Sequence, residues 1–410
     1  MFTKRNFDNF YNFEKKNDIN ESKIMDTFWW EIVRYKIFDT LYSNKSTNHL
    51  SKSYLKIINV LFRKKYKNPL KIKKNKIFFI CHSRALSKNN MVDNNIENAS
   101  RYYSIDEKVY LHGFESMSYL NIKKKTYKNH FFIHKFFLFT VIINIFFKVY
   151  FFLFYKKKFK KYYDGKLEFF VNKDLFKLIE NNIIRFKSHQ YIYLLLFWLK
   201  KPSLIYLVDS PNNKAIISSA KKLGIKVIEI QHGSPNKYKL NYSSSWRQEY
   251  LPNYFLSYGE HWTKYESFIL DKKNCYVTTN FHLKKIIINK SFKKKKKILF
   301  IDQPGIKTKL FNFINKNNSF LCKFNLFFKI HPSSFLKDKD IKFLISKNIS
   351  IVNNKYSIYT HLYDSKYVIG SYSTALYEAL MFKCYVLSFD NNFLNSDINS
   401  FFIKSLCLKA

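Results

Sequence analysis

YVIGSYSTALYEALMFKCYVLSFD, residues 367–390, decides the fold, because two apolar strand-like runs flank a turn of small residues that opens into a helix. The first run ends at Gly370, and the hydroxyl residues Ser371, Ser373 and Thr374 follow. A helix N-terminus exposes unpaired N–H groups and carries partial positive charge, so this turn predicts a phosphate or carboxylate site. The alternative, that Ser373 only caps its own helix, stays open because the turn lacks a full GxGxxG motif.

The segments before this turn repeat the alternation of strand and helix. Helix-like stretches separate five apolar runs, at residues 298–302, 325–331, 349–353, 367–371 and 384–389. Alternation at this short spacing predicts a doubly wound, Rossmann-like domain. An earlier pair of runs, 204–208 and 225–230, encloses the helical stretch 213–223, so a βαβ unit with parallel strands is predicted there as well.

The chain of 410 residues is long enough for two domains. We predict an N-terminal helical and aromatic extension at 1–75, a Rossmann-like domain at 76–289, a linker at 290–297, a second Rossmann-like domain at 298–392, and a tail or crossover helix at 393–410. Apolar residues at helical spacing over 27–41 predict a docking helix. Residues 76–81 predict the first buried strand, and His82, Ser83 and Arg84 follow its carboxyl end.

The formal net charge of +43, from 72 Lys and Arg against 29 Asp and Glu, would ordinarily indicate a nucleic-acid partner. Lysine far outnumbers arginine, however, and Asn, Ile, Phe and Tyr are abundant throughout, as expected from an AT-rich coding background. We therefore predict no nucleic-acid partner. Scattered cysteines without a CxxC pair predict reduced core residues, and residues 1–18 lack the apolar run of a signal peptide, so the protein is expected in the cytoplasm.

Residues 131–155 are the most apolar part of the chain and lie within a lysine-rich insertion at 123–166. Lys135, Asn144 and Lys148 interrupt the apolar run, and a lysine at the centre of a bilayer costs about 3 kcal/mol, so a membrane span is not expected. Apolar burial and lysine attraction together suit a helix lying on an anionic membrane surface. A core helix with a solvated basic rim is the alternative, and both stay open.

Polar residues follow several predicted strands. Asp209 and His232 follow neighbouring strands of the βαβ unit and therefore share one rim of its sheet, while His331 and Pro332 follow a strand of the second domain. Open α/β sheets bind their ligands at the carboxyl ends of strands. A strand-end histidine satisfied by the backbone is the structural alternative, and the adjacent proline favours a defined turn at His331.

Four short motifs carry a resemblance to a known family: IEIQHGSP at 228–235, PNYFLSYGEHW at 252–262, FFKIHPSS at 327–334 and IGSYSTALYEAL at 369–380. With these motifs in this order, residues 203–390 resemble the nucleotide-sugar glycosyltransferases of the GT-B fold that build bacterial capsule and surface polysaccharides. The resemblance includes the histidine-proline group, such as the polysialyltransferases and Kdo transferases. It extends more distantly to the CDP-glycerol glycerophosphotransferases, and the part of the chain before residue 203 matches only loosely.

The resemblance implies an α/β, GT-B-like fold with two Rossmann-like domains facing a cleft, and a donor held mainly by the C-terminal domain. The implied donor-binding residues are His331, Pro332, Lys329, Gly370, Ser371, Ser373, Thr374 and Glu378. Glu378 would accept from a ribose hydroxyl, with a simple helix-face carboxylate as its alternative, and the others would surround the phosphates. Because such groups stabilise charge on the leaving nucleotide, no metal and no cofactor beyond the nucleotide-sugar co-substrate is implied.

His232 and Asp209 are the implied catalytic candidates, as general bases that deprotonate an acceptor hydroxyl. His232 is the first choice because Gly233 gives its backbone room. The paired-acid-plus-glycine motif of the polysialyltransferases has no match in the N-terminal half, where Asp106 and Glu107 are followed by lysine, so the donor sugar stays open.

The resemblance therefore predicts a metal-independent glycosyltransferase that moves a sugar from a nucleotide-sugar donor to a glycan or lipid-linked acceptor. We expect it to lie in the cytoplasm, peripheral on the inner face of the cell membrane. A polyol-phosphate transferase with a CDP-linked donor is one alternative. A non-catalytic polysaccharide-assembly or nucleic-acid-binding protein is another.

Overall fold

The structure is a computed structural model. It describes residues 4–17, 19–42, 66–81, 93–113, 129–166, 173–233, 235, 240, 242, 247–264, 268–288, 291–303, 305–331, 334–352, 357–371 and 373–389. The predictions made for His82, Ser83, Arg84, Pro332 and the tail at 393–410 lie outside these residues.

The chain divides into two compact units, Met1–His282 and Leu283–Ala410. Each unit contains one parallel sheet with helices packed around it. Because parallel strands need crossover connections that cover the faces of the sheet, each unit has a Rossmann-like architecture. This confirms the prediction of an α/β, GT-B-like fold with two Rossmann-like units. The predicted cleft and the predicted domain boundaries stay predictions.

The first unit begins with a helical pair. It comprises α1 (Lys4–Asn17), an antiparallel pair of β1 (Lys23–Ile24) and β2 (Thr27–Phe28), and α2 (Trp29–Tyr42), and α2 confirms the helix predicted at 27–41. The Arg34 guanidinium donates to both carboxylate oxygens of Glu14 at 2.7 Å, so a buried two-pronged ion pair fixes α1 on α2. Arg34 also donates to the Leu240 carbonyl at 2.8 Å, so α2 docks on the rest of the unit.

The sheet of the first unit has seven strands: β3 (Ile77–Cys81), β4 (Lys108–His112), β5 (His130–Phe132), β6 (Leu204–Leu207), β7 (Val227–Ile230), β8 (Tyr254–Ser257) and β9 (Cys275–Val277). All neighbours are parallel, in the order β5-β4-β3-β6-β7-β8-β9. The strand order therefore reverses between β3 and β6. The predicted βαβ unit is confirmed by the parallel pair β6–β7.

The helices of this unit are α3 (Asn94–Ser100), α4 (Phe137–Phe154), α5 (Lys156–Lys166), α6 (Lys173–Lys200) and α7 (Lys214–Lys222), and α8 (Phe281–Ile287) spans the boundary to the second unit. Most of α4 is exposed, because Phe151 is its one fully buried residue. The core-helix alternative for residues 131–155 is therefore wrong for α4.

The second unit has five parallel strands: β10 (Lys295–Ile301), β11 (Asn325–Lys329), β12 (Ile349–Val352), β13 (Ser365–Gly370) and β14 (Tyr385–Ser388). They lie in the order β12-β11-β10-β13-β14, and all five predicted strands are present. The helices are α9 (Lys307–Lys316), α10 (Asn318–Leu321), α11 (Asp338–Ser346), α12 (Ile358–Asp364) and α13 (Thr374–Met381). β10 begins at Lys295, because the lysine run predicted as a linker already pairs with β13 there.

Candidate functional site

The strand order of the second unit reverses between β10 and β13. The chain runs from β10 to β11 and β12 on one side, and then returns to place β13 and β14 on the other. Open α/β sheets bind ligands at the carboxyl ends of strands at such a reversal. Phe300 pairs with Ile369 in the parallel register, so Asp302 and Ser371, two residues further on, leave the sheet side by side.

Asp302 and Ser371 each hold a buried oxygen at this edge. Asp302 is 1% exposed and Ser371 is 0% exposed. The Oδ1 atom of Asp302 and the Oγ atom of Ser371 have no hydrogen-bond partner within the part of the chain that the structure describes. A buried polar atom without a partner costs about 1–3 kcal/mol, so two of them at one strand reversal make this edge a candidate ligand site.

Asp302 also organises the loop after the neighbouring strand. Its main-chain N–H donates to the Lys329 carbonyl at 3.0 Å, and its Oδ2 atom accepts from the main-chain N–H of His331 at 3.4 Å. The His331 carbonyl accepts from the Ser334 N–H at 2.9 Å, which closes the turn that the histidine-proline pair predicts. Burial raises the pKa of Asp302, while hydrogen bonds from Ser334 and His331 and the charge of Lys307 oppose that rise.

The turn before α13 contains both a cap and a spare hydroxyl. The Oγ atom of Ser373 accepts from the Ala375 N–H at 3.3 Å, so Ser373 caps α13. This is the capping role that the sequence left open for Ser373. The Ser371 carbonyl accepts from the Ser373 N–H at 2.7 Å, which leaves the Ser371 hydroxyl at the strand end. Thr374, the first residue of α13, is exposed. The structure thus gives Ser371 and Ser373 different roles.

Gly370 allows α13 to start close to the sheet. A Cβ atom at this position would lie 3.1 Å from the Leu376 Cδ2 atom and 3.4 Å from the Ile301 Cβ atom. A side chain would therefore fit only if the Leu376 and Ile301 side chains shifted by a few tenths of an ångström. Glycine at this position brings the N-terminus of the helix, with its partial positive charge, to the strand reversal.

Lys329 and Glu378 lie towards α12. Lys329, the last residue of β11, is 8% exposed, and burial lowers its pKa. Burial and the charge of Lys297 lower the pKa of His361 on α12, and the charge of Lys329 adds to this effect. Burial of the Glu378 carboxyl raises its pKa to about 7, and a hydrogen bond with the Tyr359 side chain opposes the rise. The predicted contact of Glu378 with a ribose stays a prediction.

In the first unit, Asp209 follows β6 in a left-handed backbone conformation, with φ of 60°. Its carboxylate accepts from the Asn212 side-chain amide at 2.6 Å. The next residue, Ser210, donates its N–H to the Oε1 atom of Glu229 at 3.0 Å, and the Tyr242 hydroxyl donates to the same atom at 2.9 Å. Burial raises the pKa of Glu229 to about 7, and the nearby charge of Asp209 adds to the rise.

His232 follows β7 at the same edge of the sheet as Asp209. Leu207 pairs with Glu229, so Asp209 is level with Gln231 and His232 lies one residue beyond. Gln231 fixes this loop, because its amide donates to the Gly233 carbonyl at 2.7 Å and accepts from the Tyr258 N–H at 2.8 Å. The structure thus places Asp209 and His232 at one rim of the sheet, as the sequence predicted, and the loop that carries His232 is tied to Tyr258 after β8.

Asp302 and Glu229 are the residues of these sites that the sequence did not single out. A sequence signal existed for each: Asp302 ends an apolar run before Gln-Pro-Gly, and Glu229 interrupts the apolar run of β7. Among the described residues, no group of three His, Cys, Asp or Glu side chains could hold a metal ion. A cavity of about 500 Å³ in the second unit, lined by Lys295, Lys297 and Asn325 among others, lies at the opposite, amino ends of the strands.

Comparisons with known proteins give similarity at the level of structure. No protein-family model and no curated protein matches the chain. One similar solved structure is a UDP-N-acetylglucosamine 2-epimerase from Rickettsia bellii, with 12% identity over 78% of this chain and 79% of that chain and a TM-score of 0.45. A second is the UDP-GlcNAc 2-epimerase from Neisseria meningitidis bound to UDP-GlcNAc, with 13% identity over 80% of this chain and 85% of that chain and a TM-score of 0.45. A third is the wall teichoic acid polymerase TagF, with 12% identity over 90% of this chain and 80% of that chain and a TM-score of 0.38. These TM-scores lie below 0.5, and the fold of this chain follows from its own strand order.

Proposed function

We propose that this protein is a glycosyltransferase that moves a sugar from a nucleotide-sugar donor to a growing bacterial surface glycan. The observation that carries the proposal is the pair of buried oxygens on Asp302 and Ser371 at the strand reversal of the second unit, beside the N-terminus of α13. The four motifs that resemble GT-B glycosyltransferases support it, since two of them contain Ser371 and His331.

The proposed donor site uses each group according to its chemistry. The Ser371 hydroxyl and the first N–H groups of α13 donate to the diphosphate, and His331 and Lys329 add positive charge near it. The Oδ1 atom of Asp302 accepts from a hydroxyl of the donor, while its Oδ2 atom keeps the His331 loop in place. Hydrogen-bond donors fixed in this way stabilise the charge that develops on the leaving nucleoside diphosphate without a metal ion.

The acceptor is activated from the first unit in this proposal. His232 takes the proton of the attacking hydroxyl, and the bonds of Gln231 to Gly233 and Tyr258 hold its loop in position. Asp209 is the second candidate for this step, and Glu229 holds the backbone beside it through Ser210.

The test has two stages. Thermal unfolding in the presence of CMP-, CDP-, UDP- and GDP-sugars identifies the donor, because a ligand that binds only the folded state raises the unfolding temperature. Transfer from that donor is then measured for wild type, His331→Ala and His232→Ala, with circular dichroism as the control for folding. We expect both variants to lose nearly all transfer, and wild-type turnover in both would reject the site.

The donor screen also separates the alternatives. Consumption of CDP-glycerol or a related CDP-polyol, with no transfer from any nucleotide sugar, would make the protein a polyol-phosphate transferase. Binding to DNA or RNA at physiological salt, with no stabilisation by any donor, would favour a non-catalytic protein.

A further inference from the structure

Helix α4 exposes a large apolar face. By length and composition, the segment Ile133–Phe154 could cross a membrane: its 18-residue apolar window has a mean hydropathy of 2.2, and 6% of that window is buried. The exposed side chains recur at helical spacing and therefore share one side of the helix: Leu138, Ile142, Ile145, Phe146, Val149, Phe152 and Leu153, each 52–65% exposed. Contiguous apolar surface of this extent marks an interaction site.

Helix α6 packs on the side of α4 that is turned away from this face, and it exposes apolar residues of its own. Tyr191, Leu195 and Trp198, at 48%, 38% and 61% exposure, are spaced four and three residues apart and so lie on one side of α6. The ring of Tyr191 contacts that of Phe147 on α4, with centroids 6.3 Å apart.

Positive charge follows the apolar face directly. Helix α5 begins two residues after α4 ends and contains Lys156, Lys157, Lys158, Lys160 and Lys161. Phe159 of the same helix is buried against Phe151, so α5 is held next to the end of α4 and its lysines border the apolar face. Apolar and cationic side chains in this arrangement complement an anionic lipid surface, where the two attractions add.

The contacts of α4 determine its orientation in such a surface. Asn144, near the middle of α4, donates to the Ser188 hydroxyl on α6 at 3.3 Å. If α4 crossed a bilayer, this contact would place Ser188 near the bilayer centre, together with its neighbours Arg185 and Lys187. Cationic side chains are strongly disfavoured there, so the packing of α4 on α6 opposes a span.

We propose that the lipid-facing patch, defined as the exposed face of α4 and the α5 lysines, docks on an anionic membrane surface with α4 parallel to it. The apolar side chains enter the level of the lipid headgroups, and the lysines contact the acidic phosphates. This surface is separate from the strand ends described above, so the proposal does not depend on the transfer chemistry.

Flotation of the full chain with vesicles tests this surface. Wild type is expected to float with equimolar phosphatidylcholine and phosphatidylglycerol, weakly with phosphatidylcholine alone, and less at high salt. The double variant Ile142→Gln/Leu153→Gln is expected to bind the vesicles at least about tenfold more weakly than wild type, because each lost side chain removes apolar area from the contact. The matched control is Ile288→Gln/Ile345→Gln, which replaces side chains of 53% and 64% exposure outside the patch and is expected to bind like wild type.

The lysines give an independent readout. Lys157, Lys158, Lys160 and Lys161 changed together to Gln should remove the preference for anionic vesicles, whereas the same change at the exposed Lys272, Lys339, Lys342 and Lys366 should keep it.

Three outcomes overturn the proposal. Equal vesicle binding by the patch variant and its control would show that this surface does not contact the membrane. Resistance of membrane-bound protein to alkaline extraction would show a span in place of a surface helix. Self-association in solution that Ile142→Gln/Leu153→Gln abolishes, without vesicle binding by wild type, would make the patch an interface between copies of the chain. Donor stabilisation measured without vesicles stays a separate readout of the proposed function.

Discussion

The main-chain N–H of His331 lies 3.4 Å from the Oδ2 atom of Asp302, so the carboxylate that ends β10 holds the loop that leaves β11. The other oxygen of the same carboxylate is buried at the strand reversal beside Ser371. In the proposed site, this one side chain thus holds the loop of His331 and also offers a hydrogen-bond acceptor to the nucleotide-sugar donor. The roles of the two oxygens of Asp302 can therefore be distinguished by different substitutions.

Replacing Asp302 should weaken donor binding in a graded way. Asp302→Ala removes both oxygens and is expected to raise the donor Kd about 10- to 100-fold, as the loss of one charged hydrogen bond predicts. Asp302→Asn keeps one oxygen towards the His331 N–H and should lose less. Calorimetric titration with the donor measures both, and Asp338→Ala, an exposed carboxylate of the same unit, serves as control. Donor affinity unchanged in both Asp302 variants would contradict the assignment.

Ser371→Ala should separate ligand binding from stability. The Ser371 hydroxyl is buried without a partner among the described residues, so its removal should leave the free energy of unfolding unchanged or slightly higher. Donor affinity should fall about 5- to 30-fold, because the hydroxyl then cannot donate to the phosphates.

The matched control is Ser365→Ala at the start of the same strand. The Ser365 hydroxyl donates to the His361 carbonyl at 2.6 Å, so its loss should destabilise the fold by about 1 kcal/mol and leave donor affinity unchanged. Urea unfolding and donor titration of both variants check the prediction. If Ser371→Ala, like Ser365→Ala, destabilises the fold and leaves donor affinity unchanged, Ser371 has only a structural role.

Gly370→Ala should destabilise the second unit by about 1–3 kcal/mol, because the new Cβ atom would lie 3.1 Å from the Leu376 Cδ2 atom and 3.4 Å from the Ile301 Cβ atom and overpack this contact. Gly165→Ala is the matched control, since that glycine lies in α5 with no atom within 4 Å of the added Cβ, and alanine should stabilise the helix. Thermal unfolding of both variants measures the difference. Tolerance of alanine at 370 would show that α13 does not pack as closely as described.

Glu229→Gln should change the pH dependence of stability. Burial raises the pKa of Glu229 to about 7 in the folded state, against an unperturbed value of 4.5. A raised carboxyl pKa contributes stability at low pH that is lost as pH rises from the unfolded towards the folded value, in total about 3 kcal/mol. Glutamine keeps an oxygen for Ser210 and Tyr242 but cannot ionise. Relative to wild type, the variant should therefore gain about 2–3 kcal/mol between about pH 5 and about pH 8 in urea unfolding. A constant difference would mean that Glu229 titrates normally.

The strands were predictable because their side chains are apolar on both faces, as in a parallel sheet covered by helices. The runs ending at Gly370 and at His331 are therefore visible in the sequence without knowledge of their neighbours. The turn between Gly370 and Thr374 was predictable for a related reason, since glycine and hydroxyl residues before helix formers are typical of a helix start. Which of these hydroxyls caps the helix and which is spare depends on the backbone path, so only the structure distinguishes Ser373 from Ser371.

The rest of the site depends on contacts between distant segments. An aspartate before Gln-Pro-Gly is an ordinary turn residue in the sequence, and its burial at Asp302 arises from β11 and β13 on either side. The environment of α4 was undecided for the same reason. Its apolar residues surround the helix almost completely, so periodicity could not show that α6 covers one side and leaves the other exposed.

His232→Ala should distinguish the two candidate bases of the first unit. If His232 takes the proton of the acceptor, the variant loses about 100- to 10,000-fold in kcat while the donor Kd, set in the second unit, stays as in wild type. Asp209→Asn should lose less, because the Asp209 carboxylate already accepts from the Asn212 amide and so has a role in holding the loop. His261→Ala, after the next strand, controls for the loss of an imidazole at this edge of the sheet. Steady-state kinetics with saturating donor measures all three, and a larger loss in Asp209→Asn than in His232→Ala would move the general base to Asp209.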